Sequence, residues 1–90
     1  MSGRKNVIME SEERRSLADV ATFLRDLAGK IESNTLTLKQ GGEEIQVSLT
    51  DPVTLEVELQ EKRKKGTTKR QLEIEIEWYP GGEKGSIELG

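Results

Sequence analysis

The chain has 90 residues, 14 of them basic and 17 acidic, for a formal net charge of −3, and it contains neither cysteine nor histidine. That excludes disulfides, thiolate or imidazole zinc sites, and Ser-His or Cys-His nucleophile pairs. Leu, Ile, Val and Phe supply 22 of the 90 residues, enough for one small domain with a modest core. No apolar run approaches the length of a membrane span, and the N-terminus lacks a signal-peptide stretch, so the expectation is a soluble cytoplasmic protein with no membrane association.

Residues 1–6 are polar and read as a disordered N-terminus. Val7-Ile8-Met9-Glu10 reads as a short first strand running into the charged Glu12-Glu13-Arg14-Arg15. Ser16 then opens a helix as its N-cap, with Asp19 three residues on in a capping-box arrangement and near the positive end of the helix dipole. Leu17, Val20, Ala21, Leu24, Leu27, Ala28 and Ile31 form one apolar stripe at helical spacing, with Phe23 at its flank. Gly29 weakens the last turn, and Ser33-Asn34 is the stop, asparagine tolerating a left-handed conformation. The polar face mixes both signs of charge, which suits a helix covering a sheet better than one lying on a membrane.

Beyond the helix the period changes to two. Leu36 and Leu38, then Ile45, Val47 and Leu49, alternate with polar residues around a Gly41-Gly42 turn, a hairpin pattern. Asp51-Pro52 breaks the chain. Val53, Leu55, Val57 and Leu59 alternate again, as do Leu72, Ile74, Ile76 and Trp78 after a turn at Lys65-Gly66. Residues 79–90 read as a flexible tail, with Ser86 to Leu89 as a further short strand if ordered. The pattern predicts an α+β, two-layer domain over residues 7–78, β-α-β-β-β-β, with one amphipathic helix packed on a four- to five-stranded, mainly antiparallel sheet. Leu72, Ile74 and Ile76 are expected to face the helix.

A two-residue turn at Lys65-Gly66 sets the register of the last hairpin. Leu59 faces Leu72, Val57 faces Ile74 and Leu55 faces Ile76, because a one-residue slip would send one apolar set into water. The same register puts Glu58 opposite Glu73 and Glu56 opposite Glu75. Like charges directly across a sheet are destabilising. With Glu77, these residues form an acidic face with three readings: a solvated surface, a dock for a basic partner or a second copy, or a divalent-cation site. Glutamates along a flat strand converge poorly, so no metal and no cofactor are assigned.

The hairpin tip, KRKKGTTKR, carries six basic residues in nine: Lys62, Arg63, Lys64, Lys65, Lys69 and Arg70. A basic hairpin can track a phosphate backbone, so these are candidate anion or partner contacts. The acidic balance of the whole chain and the lack of an aromatic residue at the tip argue against nucleic acid. Gly41-Gly42 and Gly81-Gly82 belong to no phosphate-loop motif and read as turns. Trp78, on the apolar side, reads as a structural core or edge-capping residue, with ligand stacking as the alternative.

The helix SLADVATFLRDLAGKIES, the hairpin after it, the strand DPVTLEVELQEK and the closing RQLEIEIEW together resemble the small prokaryotic amphi-Trp domain. The likeness runs from about Val7 to Trp78, and its most specific parts are LRDLAGKIES and the ending Glu75-Ile76-Glu77-Trp78. The resemblance implies an α+β fold and a recurrent place for Trp78. The family is a domain of unknown function, so it carries over no catalytic residue. The basic tip is longer and more charged than the family pattern implies. The functional expectation is a non-catalytic binding or assembly module with an unknown protein partner or self-association, and the alternative is a nucleic-acid or other polyanion-binding accessory protein. An enzyme using paired glutamates is not expected.

Overall fold

The computed structural model describes residues 5–80. The expected C-terminal tail and the start of the N-terminal segment lie largely outside the described residues. The chain divides into two units, Met1–Ser48 and Leu49–Gly90.

The first unit is built on helix α1, Leu17–Glu32. Ser16 is in extended conformation and its Oγ accepts the Asp19 N–H at 3.0 Å, satisfying one of the donors a helix start leaves free. At the other end the Ser33 hydroxyl donates to the Lys30 carbonyl at 2.7 Å, and Asn34 takes φ 64°. The left-handed residue ends the helix as its sequence implies. Strands β1, Thr35–Gln40, and β2, Glu43–Ser48, follow at once and pair antiparallel around Gly41, where φ is 59°. Leu36 faces Val47 and Leu38 faces Ile45, so each apolar residue meets another across the ladder. Helix α1 lies against β1, and Ala21, Leu27, Ile31, Leu36, Leu38, Ile45 and Val47 are half-buried.

The expected first strand is absent. Residues 7–10 are irregular, and the Glu10 carbonyl is held by the Gln40 side-chain amide at 2.8 Å. Val7 and Ile8 are adjacent rather than alternating, so an extended strand would turn one of them away from any sheet.

The second unit contains strands β3, Thr54–Lys64, and β4, Thr67–Glu77. They pair antiparallel over their whole length, Leu59 with Leu72, Val57 with Ile74 and Leu55 with Ile76, the register implied by a two-residue turn. Lys65 and Gly66 both have positive φ, 42° and 82°, as a type I′ turn requires. The Thr67 hydroxyl donates to the Lys64 carbonyl at 2.7 Å across that turn. The Thr50 hydroxyl donates to the Tyr79 carbonyl at 3.1 Å and ties together the two ends of the hairpin.

The strands therefore form two two-stranded sheets, β1-β2 and β3-β4, rather than the single meander of four or five expected. The cis Asp51-Pro52 bond lies in the connection between β2 and β3, and proline supplies no N–H with which to continue a ladder. Among the described residues only Leu49 is a buried hydrophobic side chain. Leu72 and Ile74, expected on a covered inner face, are 63% and 52% exposed.

Candidate functional site

The β3–β4 hairpin carries every charged residue singled out as a candidate contact, and its register decides which of them meet. Successive side chains alternate between the two faces. One face bears the rungs Glu56–Glu75, Glu58–Glu73, Gln60–Gln71 and Lys62–Lys69, in that order toward the turn. The other bears Leu55–Ile76, Val57–Ile74 and Leu59–Leu72, then Glu61–Arg70 and Arg63–Thr68. The polar face thus changes sign along its length, acidic at the base and basic at the tip, with a neutral amide rung between.

The acidic half is tightly arranged. Glu56, Glu75 and Glu77, all exposed, bring carboxylate oxygens within 4.8 Å of one another. Glu77 joins across the diagonal of the ladder, which long side chains can span. The convergence is closer than a flat ladder suggests. It offers a cation three exposed monodentate oxygens, fewer than a dedicated Ca²⁺ site supplies. Glu56 pays for the crowding electrostatically: the carboxyl is pushed above its ordinary value, first because its proton is shared with Glu75 and then because the charges of Glu75, Glu77 and Glu58 resist its ionisation.

The next rung is relieved by neutral donors. Gln60 Nε2 donates to Glu58 Oε1 at 2.7 Å, and Gln71 Nε2 donates to Glu73 Oε1 at 2.8 Å. The two glutamines face each other across the ladder. Each supplies an N–H to the carboxylate two residues away, a charge-assisted bond that offsets part of the Glu58–Glu73 repulsion. Sequence reading passed over Gln60 and Gln71. Their signal was their position, opposite each other at the point where the charge changes sign.

The six basic residues of the tip do not form one patch. Lys62, Lys64 and Lys69 share the polar face, Arg63 and Arg70 lie on the other, and Lys65 is in the turn. Arg70 is also committed, its Nε lying 3.0 Å from Glu61 Oε2 in a cross-strand ion pair. Glu61, just outside the basic run, was not singled out by the sequence. Among the described residues Lys62, Lys64 and Lys69 make no ion pair. Trp78 follows β4 directly and is half-buried, where its neighbours Glu77 and Tyr79 are exposed.

The first unit has an open groove between the segment before α1, the helix and β1, lined by Glu13, Asp19, Phe23, Asp26 and Lys39 among others. Its charges are mixed, and Glu13 is paired with Arg15 at 2.6 Å. Among the described residues no helix is long and apolar enough to cross a membrane.

No curated protein and no solved structure is significantly similar to the chain. A family model, the Amphi-Trp domain, does match it over residues 2–90, beyond both ends of the segment that carries the resemblance in the sequence. With helix, hairpins and closing tryptophan in the expected order and the match spanning nearly the whole length, the chain belongs to the Amphi-Trp domain family.

Proposed function

We propose that the chain is a non-catalytic binding or assembly module of the cytoplasm whose contact element is the β3–β4 hairpin. The observation that carries this reading is the sign change along a polar face, exposed except at the half-buried Gln60, Gln71 and Glu73, acidic from Glu56 to Glu77 and basic from Lys62 to Lys69. Such an arrangement places like charges opposite each other on three rungs, Glu56–Glu75, Glu58–Glu73 and Lys62–Lys69. A free hairpin is more stable with the signs interleaved across the strands. A partner with the complementary order of charge turns that internal repulsion into recognition.

A photo-crosslinking amino acid at Thr67, on the charged face of the hairpin, compared with one at Asp26 on the helix, tests this in the native cell. Protein adducts concentrated at Thr67 are the expected result. Equal labelling at the two positions, or none, overturns the reading.

Nucleic acid is the second reading, favoured by Lys62, Lys64 and Lys69 at the tip, which make no ion pair among the described residues. Against it stand the engagement of Arg70 by Glu61 and the absence of any aromatic residue from the tip for stacking. Fluorescence anisotropy with single- and double-stranded oligonucleotides decides. Tight binding that weakens steeply with salt establishes the nucleic-acid reading, and flat titrations remove it.

A further inference from the structure

β3 uses one edge to pair with β4, and among the described residues no strand pairs with its other edge. The ladder is continuous from Thr54 to Lys64, with no bulge or proline to interrupt it. A long open edge presents a row of unpaired N–H and C=O groups, which another strand can complete. In an antiparallel ladder closed by a two-residue turn, the residues flanking the turn form a hydrogen-bonded pair, and such pairs then alternate. The even positions of β3 are therefore bonded to β4, while the odd positions, 55 to 63, direct their backbone groups outward.

The side chains along that strand have an order that selects the neighbour. On the polar face β3 reads Glu56, Glu58, Gln60, Lys62, Lys64. Reversing the strand about Gln60 exchanges every glutamate for a lysine. β4 lacks this property, because about Gln71 the charge of Glu73 is balanced by Lys69 but that of Glu75 meets Thr67. A parallel neighbour in register would place Glu beside Glu and Lys beside Lys.

We propose that two copies of this chain associate through the outer edge of β3, antiparallel about a two-fold axis at Gln60, so that Glu58 and Glu56 of each face Lys62 and Lys64 of the other. The inference rests on the hairpin being the contact element and names its partner as a second copy. The odd positions supply the main-chain bonds, and the even positions become the non-hydrogen-bonded pairs, whose side chains approach more closely. The charges remain on the wet face, so pairing them does not carry the desolvation cost of a buried ion pair. On the opposite face Val57 meets Arg63 and Leu59 meets Glu61, whose aliphatic stems cover the apolar side chains. The product is one four-stranded sheet, β4-β3-β3-β4. It exceeds the two-stranded limit at which an isolated hairpin is only marginally stable. The arrangement is closed and isologous, so it ends at two copies.

The test is the mass of the full chain by sedimentation at about 100 µM protein, in roughly 50 mM and 500 mM salt, where screening differs several-fold. A dimer that weakens at the higher salt is expected. Lys62→Glu with Lys64→Glu, and separately Glu56→Lys with Glu58→Lys, should each loosen it by about tenfold or more through like-charge opposition. Mixing these two variants should give a heterodimer, and combining all four substitutions in one chain should restore self-association, which a misfolded variant could not do. A monomer at both salts overturns the proposal, as does a dimer indifferent to the charge reversals, which would place the contact on the apolar face. Crosslinks from Thr67 to a different protein, with a monomeric chain, would remove this inference and leave the binding-module reading standing.

Discussion

The two hairpins follow one sequence rule and arrive at different surfaces. In β1–β2 the strands are six residues long, Leu36, Leu38, Ile45 and Val47 are half-buried with α1 against β1, and Lys39 sits opposite Glu44. In β3–β4 the strands are eleven residues long, Leu55, Val57, Leu59, Leu72 and Ile74 are exposed, and the charged rungs set Glu against Glu and Lys against Lys. Alternation of apolar and polar residues therefore predicts a strand and its register, but not whether the apolar face is covered. Covered, with opposite charges paired, a hairpin is scaffold. Exposed, with charges sorted by sign, it is an apolar and a charged surface that no other described element covers.

The contrast is broken most directly by truncating one leucine in each hairpin. Leu36→Ala should destabilise the chain by about 1–2 kcal/mol, at or below the low end of the roughly 2–5 kcal/mol for a fully packed leucine, because Leu36 is half-buried. Leu59→Ala, 73% exposed, should cost about 0.5 kcal/mol or less. Urea unfolding measures both, and an equal loss would mean that the β3–β4 face is packed in solution. The turns offer a smaller contrast. Gly66 has φ 82° whereas Gly42 has no positive φ and open space at the Cβ position, so Gly66→Ala should cost about 1 kcal/mol and Gly42→Ala close to nothing. Thermal unfolding monitored by circular dichroism separates them.

The smallest effect concerns acid. The raised Glu56 carboxyl holds its proton more tightly in the folded chain than at its ordinary value of 4.5. Between those two values the folded state binds more protons, so this group's contribution to stability falls as pH rises through the window and is most favourable on the acid side. Glu75→Gln removes the principal cause, and should flatten the pH dependence of the midpoint in the same window. A slope unchanged by that substitution would assign it to other carboxylates.

Much of this was legible because it is local. Ser16 and Asn34 declare the ends of α1, and Lys65-Gly66 declares a register that a one-residue slip would ruin. The errors lie where long-range partners decide. Val7 to Glu10 has strand-forming residues but finds a side-chain amide from Gln40 rather than a strand. The fate of Leu72 and Ile74 depends on what covers them, and their own spacing carries no information about that. In the site, the acidic and basic clusters were visible as composition. Their sorting by face, which splits the arginines from the lysines and brings Glu61 to Arg70, appears only once each residue has a partner across the ladder.

The length of the β3–β4 ladder has an electrical meaning. With a rise of about 3.4 Å per residue, the rung at Glu56 and the one at Lys64 are separated by roughly 27 Å. Mobile ions damp a charge over about 8 Å at physiological ionic strength. The two poles therefore do not cancel at a distance, although they belong to one small chain. A molecule arriving at the turn meets a cation and one arriving at the base meets an anion, each unaware of the other. The net charge of −3 describes neither encounter.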